Sequence, residues 1–206
     1  LGGSSSINGM VYIRGNPMDF ERWEEEGAKG WGYQQVLPYF KRAETRKEGG
    51  NEYRGGSGKL HTSYGRLKNP LYSAFINAAQ EAGYPLTDDI NGRQQEGFGR
   101  MDMTVHNGRR WSAANAYLKP ALRRPNLSVE THALATRILF DGTRATGISY
   151  LKGAKEHQVT AKREVILSGG PINSPQLLQL SGIGPAEKLK LQGIPVVKDL
   201  PGVGEN

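Results

Sequence analysis

The clearest helical period runs through Leu71, Ala74, Phe75, Ala78 and Ala82. Asn69 can cap this segment, Pro70 sits in its first turn and Gly83 stops it, so the apolar stripe reads as core packing. Residues 17–27 predict a shorter helix, with Pro17 near its start, acidic residues along it and Gly27 closing it. Residues 35–44 are a second candidate, interrupted by Pro38. Residues 112–122 are another, with Ser112 as cap and Pro120 near the end. The polar, glycine-rich residues 49–58 read as a surface excursion. Residues 84–110 carry little period; Asp88-Asp89 and Asn91-Gly92 mark turns.

After Pro125 the pattern changes. Residues 127–131, 135–140, 145–151 and 158–161 are short strand-like runs, with Asp141-Gly142 and Lys152-Gly153 as turns, which predicts an antiparallel meander. Val165, Ile166 and Leu167 are instead continuously apolar, as in a strand buried on both faces. That run leads through Gly169-Gly170-Pro171 into a helix with Ser174 as cap, Pro175 at the first position and Gly182 as stop. Pro185 starts a last helix, ended by Gly193, before a short strand at residues 195–197. The reading is a mixed α/β (α+β) chain. Its buried strand, glycine turn and capped helix form half of a nucleotide-binding unit, because a helix start offers free N–H groups and a positive dipole end. The other half, a strand followed by G-x-G-x-x-G, does not occur.

Composition narrows the function classes. Zero Cys among 206 residues excludes disulfides, thiolate metal sites and thiol catalysis. The net charge of +7 invites an anionic partner, but the basic residues are scattered, and Arg109-Arg110 and Arg123-Arg124 are the only adjacent arginines. They are not interleaved with aromatics, so nucleic acid is not an expected partner. No apolar run approaches the ~20 residues that span a bilayer. The chain opens at Leu1 without an initiator Met and closes in a turn at Asn206, so it reads as a piece of a longer protein.

The opening run, Leu1-Gly2-Gly3-Ser4-Ser5-Ser6-Ile7-Asn8-Gly9, combines glycines, hydroxyls and an amide. Such a loop can offer several N–H and side-chain donors to phosphate or ring oxygens, and a flexible terminal linker would have the same composition. His61, His106, His132 and His157 lack catalytic or metal-ligand spacing and read as surface residues. No metal site and no catalytic residue is assigned.

Residues 170–184, Gly-Pro-Ile-Asn-Ser-Pro-Gln-Leu-Leu-Gln-Leu-Ser-Gly-Ile-Gly, resemble one of the two signatures of the glucose–methanol–choline (GMC) oxidoreductases, FAD-dependent alcohol dehydrogenases and oxidases. Gly2-Gly3-Ser4-Ser5-Ser6-Ile7-Asn8 resembles the other, continued by Tyr12-Ile13-Arg14-Gly15-Asn16. The likeness extends between them through Thr87-Asp88-Asp89, Gln95-Glu96-Gly97-Phe98-Gly99, Arg110 and Tyr117-Leu118. It is greatest to the choline dehydrogenase branch.

The resemblance implies a fragment of a Rossmann-like FAD domain with an antiparallel meander, plus part of an inserted substrate domain. Residues 1–15 would be the flavin-contacting loop, 16–124 the substrate-domain portion, and 125–206 the meander, buried strand and signature helix. It places Ser4, Asn8, Gly9, Met10 and Val11 at FAD contacts and Ala135 at a backbone contact to adenine. Ile7 stands where some relatives carry a histidine bonded to FAD; it has no nucleophilic nitrogen, so FAD is expected to be non-covalent. Those relatives also have a serine at the position of Gly9, and its absence favours a dehydrogenase. The implied reaction is oxidation of a primary alcohol, choline to betaine aldehyde, by hydride transfer to flavin N5 while a base takes the hydroxyl proton. The family's histidine base matches nothing here, so the 206 residues alone are expected to be inactive. Trp31, Trp111 or Tyr117 could face a quaternary ammonium, whereas Trp23 reads as helix packing. The partner is a small-molecule alcohol; the electron acceptor stays open. The location stays open, the resemblance implying either the cytoplasm or a peripheral place on an inner membrane. Two alternatives remain: an aryl or long-chain alcohol as substrate, and a non-catalytic anion-binding module.

Overall fold

The computed structural model describes residues 1–205, so Asn206, the end of the predicted closing turn, lies outside the described residues. The chain divides into two units, Leu1–Ser128 and Val129–Asn206.

In the first unit, a 3₁₀ turn over Gly3–Ser6 leads into β1 (Val11–Tyr12). Helix α1 (Pro17–Glu25) starts where Asn16 accepts from the Met18 N–H and Pro17 fits the first turn. Helix α2 (Tyr33–Ala43) runs straight through Pro38 instead of being interrupted by it. Proline removes one i→i−4 bond, and here packing outweighs that loss. Tyr33 and Leu37 of α2 are buried with Phe20 of α1, and Phe40 meets Phe20 edge-on at 5.7 Å between centroids. Strands β2 (Glu44–Arg46) and β3 (Leu60–Tyr64) follow, then α3 (Pro70–Glu81), capped by Asn69 as its sequence predicts. The stripe of α3 is not core: Leu71 and Phe75 are 71% and 63% exposed, and Ala79 is the buried residue of the helix.

Strand β4 (Asp102–Met103) completes a four-stranded sheet of order β1-β4-β3-β2, with β2 and β3 parallel and the other pairs antiparallel. Strands β5 (Val105–His106) and β6 (Arg109–Arg110) form a hairpin. Its turn residues, Asn107 and Gly108, have φ of 49° and 73°. Positive φ at both central positions is the primed geometry that matches strand twist, and Asn-Gly favours it. Little order is expected of this region from its apolar pattern, because the hairpin's signal is the turn dipeptide. Next come a π-helical segment (Ala114–Leu118) and the short α4 (Lys119–Ala121), where Ser112 accepts from the Asn115 N–H.

The glycine-rich loop at residues 49–58 is not a surface excursion. It carries Arg54, 1% exposed, into the middle of the unit. Gly55 and Gly58 lie against the end of α2, where a Cβ would come within 2.0 Å of Lys41 O and 2.1 Å of Ala43 C. The glycines therefore serve close backbone approach.

The second unit opens with the predicted meander, β7 (Ala133–Asp141), β8 (Arg144–Lys152) and β9 (Lys155–Thr160), antiparallel in the order β7-β8-β9. Gly142 and Gly153 turn the chain at φ of 57° and 63°. Residues 127–131 form no strand; a three-stranded meander leaves no pairing partner assigned to them. Helix α5 (Gly170–Leu180) starts earlier than predicted, with Pro171 in its first turn and Pro175 inside. Ser174 acts from within the helix, its Oγ accepting from the Gly169 N–H at 3.0 Å. Gly182 closes the helix at φ 88°. Strand β10 (Ile183–Gly184), helix α6 (Ala186–Leu191) and strand β11 (Lys198–Asp199) follow. β11 pairs parallel with β10 and lies past the strand predicted at residues 195–197.

Val165, Ile166 and Leu167 stand outside any sheet, and Ile166 is 77% exposed. The predicted buried strand is not formed. An apolar run becomes a buried strand only when neighbours pair with it and layers cover both faces, and none of the described strands pairs with this run.

Candidate functional site

The opening loop is shaped by its own polar groups. Ser4 O accepts from the N–H groups of Ile7 and Asn8 at 3.0 and 2.8 Å. Ser5 Oγ donates to Gly2 O at 2.5 Å and accepts from the Ala113 N–H at 2.9 Å, which ties the loop to the start of the π-helical segment. A Cβ at Gly2 would come 2.3 Å from Ser6 Oγ and 3.1 Å from Ala114 Cβ, at a φ of 102°. Only glycine suits that position.

Met10 has a φ of 67°, rare for a non-glycine residue. Its N–H donates to Asn8 Oδ1 at 3.0 Å, and its carbonyl accepts from Thr104 N at 2.8 Å and from Thr104 Oγ1 at 3.2 Å. These bonds offset a backbone cost of ~1–3 kcal/mol. Val11 then pairs with Met103 in the sheet. Ser4, Asn8, Gly9, Met10 and Val11 thus form one continuous strip, of which Ser4, Asn8, Gly9 and Val11 are exposed. Ile7 beside them is 85% exposed.

The strip holds hydroxyl, amide and backbone donors and no titratable side chain. It can bind and orient an acceptor-rich ligand but cannot take a proton. Open space surrounds Gly9, where a Cβ would meet nothing within 4 Å.

Arg110 is the site residue that composition and period miss. Its Nη1 donates to Asn8 O at 2.6 Å, Asn8 Oδ1 at 2.9 Å and Ser5 O at 3.2 Å. The Asn-Gly turn that puts Arg110 on β6 was the available signal. Behind the strip, Tyr12 and Arg14 enter a buried ionic cluster. Arg14 Nη2 meets Glu44 Oε2 at 2.7 Å, and Arg54 bridges Glu44, Asp89 and Asp102. Asn91 fixes this segment by accepting from Arg14 N at 2.7 Å and donating to Tyr12 O at 3.0 Å. Burial pushes the Glu44 carboxyl up, but hydrogen bonds from Arg54 and Thr62 and the charges of Arg54 and Arg14 hold it below the ordinary carboxylate range.

In the second unit Ala135 borders a cavity of about 390 Å³, shared with Val165, Leu167, Gly169, Asn173 and Ser174. The register of β7 slips between Ala135 and Arg137. Just past this bulge, Ile138 N–H donates to Ser181 Oγ at 2.8 Å, which in turn donates to Leu177 O at 2.6 Å. That relay holds α5 beside β7 and so shapes the cavity.

Two of the histidines are not isolated surface residues. His61 on β3 and His106 on β5 stack with centroids 3.8 Å apart, and Trp111 meets both edge-on. They come together because β5 lies beside β3, which the sequence spacing does not reveal. Burial, and then the charge of His106, push the His61 imidazole down. His157 stacks on Tyr150. Trp31 packs edge-on against Trp23, whose ring also meets Phe20. Trp31, Trp111 and Tyr117 make no ring-to-ring contact with one another among the described residues. Among those residues no group of three His, Cys, Asp or Glu side chains could hold a metal ion.

The donor-lined strip and the mixed α/β architecture coincide with a known family: the sequence model of the GMC oxidoreductases matches residues 1–206. The chain belongs to the GMC oxidoreductase family. It is 59% identical over 205 residues to the mitochondrial choline dehydrogenase of Homo sapiens, covering all of this chain and 34% of that protein. It is 55% identical over 206 residues to an oxygen-dependent choline dehydrogenase of Brucella anthropi, covering all of this chain and 37% of the relative. The chain thus spans about a third of the length of these curated relatives. An FAD-dependent oxidoreductase from Chaetomium thermophilum superposes over the whole chain and 38% of its own, with a TM-score of 0.92 and 36% identity. A pyridoxine 4-oxidase covers 96% of this chain and 39% of its own, at a TM-score of 0.89 and 32% identity.

Proposed function

We propose that the protein carrying this chain is an FAD-dependent dehydrogenase that oxidises choline to betaine aldehyde. The observation that carries the reading is the 59% identity to a choline dehydrogenase along the entire chain. The matched stretch includes both signature segments, and its identity exceeds the 36% to the Chaetomium thermophilum oxidoreductase.

The residues present fit FAD. Asn8 Nδ2, Ser4 Oγ and the loop's backbone donors suit the carbonyl and phosphate oxygens of a flavin nucleotide. The cavity beside Ala135 is within the ~300–1,000 Å³ range of small-molecule sites and mainly apolar, as a purine requires. Ser4, Asn8, Gly9, Met10 and Val11 would hold the flavin portion, and the Ala135 backbone would border the adenine. FAD supplies the hydride acceptor. This chain's own residues bind and orient. Residues 1–15 and 125–206 are assigned to the flavin domain and 16–124 to the substrate domain.

The proton base is assigned outside these 206 residues. The strip has no titratable group, and His61 and His106 are engaged with each other and Trp111. Non-covalent attachment of FAD, a small-molecule alcohol as partner and an electron acceptor still to be identified complete the reading. Among the described residues no helix is long and apolar enough to cross a membrane.

The test is turnover by the full-length gene product with an artificial electron acceptor. Choline should be oxidised with kcat/KM at least tenfold above aryl and long-chain primary alcohols. The reverse preference would reassign the substrate, and a protein that takes up no FAD would overturn the reading. The 206-residue chain alone should show no choline turnover.

A further inference from the structure

One nitrogen of Arg110 makes three contacts with the loop, to the carbonyls of Ser5 and Asn8 and to the Asn8 amide oxygen. Its backbone is fixed from the other side, since Asn115 Nδ2 donates to Arg110 O at 2.9 Å. The next residue, Trp111, donates its N–H to Thr104 O, and Thr104 donates to Met10 O. The β5–β6 hairpin therefore grips the loop at Ser5, Asn8 and Met10. This grip crosses about a hundred residues of sequence, the Arg110–Asn8 bond spanning 102.

The contacts also settle which way the Asn8 amide faces. Two donors, the Met10 N–H and Arg110 Nη1, converge on one atom of that amide. Only its oxygen can accept both, so Oδ1 is consumed within the protein and Nδ2, with two hydrogens, is left. No protein acceptor takes Nδ2 among the described residues, and Asn8 is exposed. A guanidinium is permanently charged and has no acceptor, so the polarity of this arrangement holds at any physiological pH.

We infer that Arg110 is a positioning residue that orients Asn8 as an obligatory hydrogen-bond donor to an acceptor atom of the flavin. The inference rests on the FAD reading above. In this role Arg110 acts through Asn8 and through the carbonyls it draws inward.

The substitution that isolates this role is Asn8→Asp. A carboxylate keeps the oxygen that faces Arg110 and the Met10 N–H, and replaces Nδ2 with a second acceptor. The loop should keep its fold while losing the donor. In the full-length holoprotein, Asn8→Asp should match the parent in thermal midpoint yet bind FAD at least tenfold more weakly, with a lowered flavin reduction potential. Arg110→Met should weaken FAD binding by a similar factor, with Arg110→Lys restoring part of it. Arg109→Met, on the exposed neighbour, should behave as the parent. Parent affinity and potential in Asn8→Asp would overturn the donor assignment, whether or not Arg110→Met folds. Parent flavin properties in Arg110→Met would overturn the positioning role. If the parent itself binds no FAD, it is the functional reading that fails, and that result is seen before any variant is made.

Discussion

Arg54 and Glu44 form a two-pronged pair, with Nη2 to Oε1 at 2.5 Å and Nε to Oε2 at 3.1 Å, and both side chains are wholly excluded from solvent. Around it Arg14 also pairs with Glu44, Arg46 faces Asp89 and Asp102, and Arg54 reaches both aspartates, so three guanidiniums meet these three carboxylates. Among the described residues the largest fully buried side chains are Arg54, Glu44, Thr62 and Asp102, polar rather than aromatic. Their place behind Tyr12 and Arg14 makes them the support on which the loop's exit strand rests.

Breaking the pair from one side should be costly. Arg54→Met leaves Glu44 short of its main partner, and Glu44→Leu leaves Arg54 short of its own. Loss of one partner of a buried pair costs ~3–5 kcal/mol. Denaturant unfolding should show that loss for each single variant, and a smaller loss for the double variant than the sum of the two. Additive losses would mean that the pair is not coupled.

The same group sets an acid limit. The folded-state pKa of Glu44 is depressed, so its contribution is fully present above the ordinary carboxylate range and is lost as pH falls through that range toward the folded value. His61 works in the same direction by the opposite chemistry. Its pKa is depressed by burial, so the unfolded chain binds the extra proton first, and stability falls as pH drops below the ordinary histidine range. Stability measured against pH should therefore show two acid-side steps. His61→Phe should remove the upper step and Glu44→Gln the lower.

Gly58 tests the close approach of the loop to α2. A Cβ there would meet Ala43 C at 2.1 Å and Glu44 N at 2.3 Å, both backbone atoms that cannot swing away. Gly58→Ala should destabilise by at least the ~1–3 kcal/mol typical of overpacking. Gly56→Ala, with no neighbour nearer than 3.5 Å, is the comparison. Equal thermal midpoints for the two would refute the close packing.

Ala135 tests the cavity in the second unit. If the adenine meets the backbone there, Ala135→Ser should leave FAD affinity within a fewfold of the parent. Ala135→Trp fills part of the cavity and should lower affinity by at least tenfold. Equal affinities for both would remove the cavity from the cofactor site.

Ile7 tests the attachment of the cofactor. Its side chain carries no nucleophile, so acid precipitation of the full-length holoprotein should release the yellow cofactor to the supernatant. Flavin retained on the pellet at this position would refute non-covalent binding there.

What the sequence alone determined lies close along the chain. Pro17, Asn69 with Pro70, and the Asp141-Gly142 and Lys152-Gly153 turns mark helix starts and hairpins, because caps and turns are made by backbone groups within a few residues of each other. The two signature segments were equally legible, and with them the family. Tertiary structure alone decided burial and pairing. It sends Arg54 from a polar loop into the interior, keeps α2 helical through Pro38, stacks His61 on His106 and leaves the stripe of α3 exposed. It also leaves Val165, Ile166 and Leu167 outside any sheet, and gives Arg110 to Asn8 across 102 residues. A hydrophobic period reports that a face can be buried, and a charged side chain that it can be paired. Whether either happens depends on which distant segment arrives opposite, and no local signal carries that information.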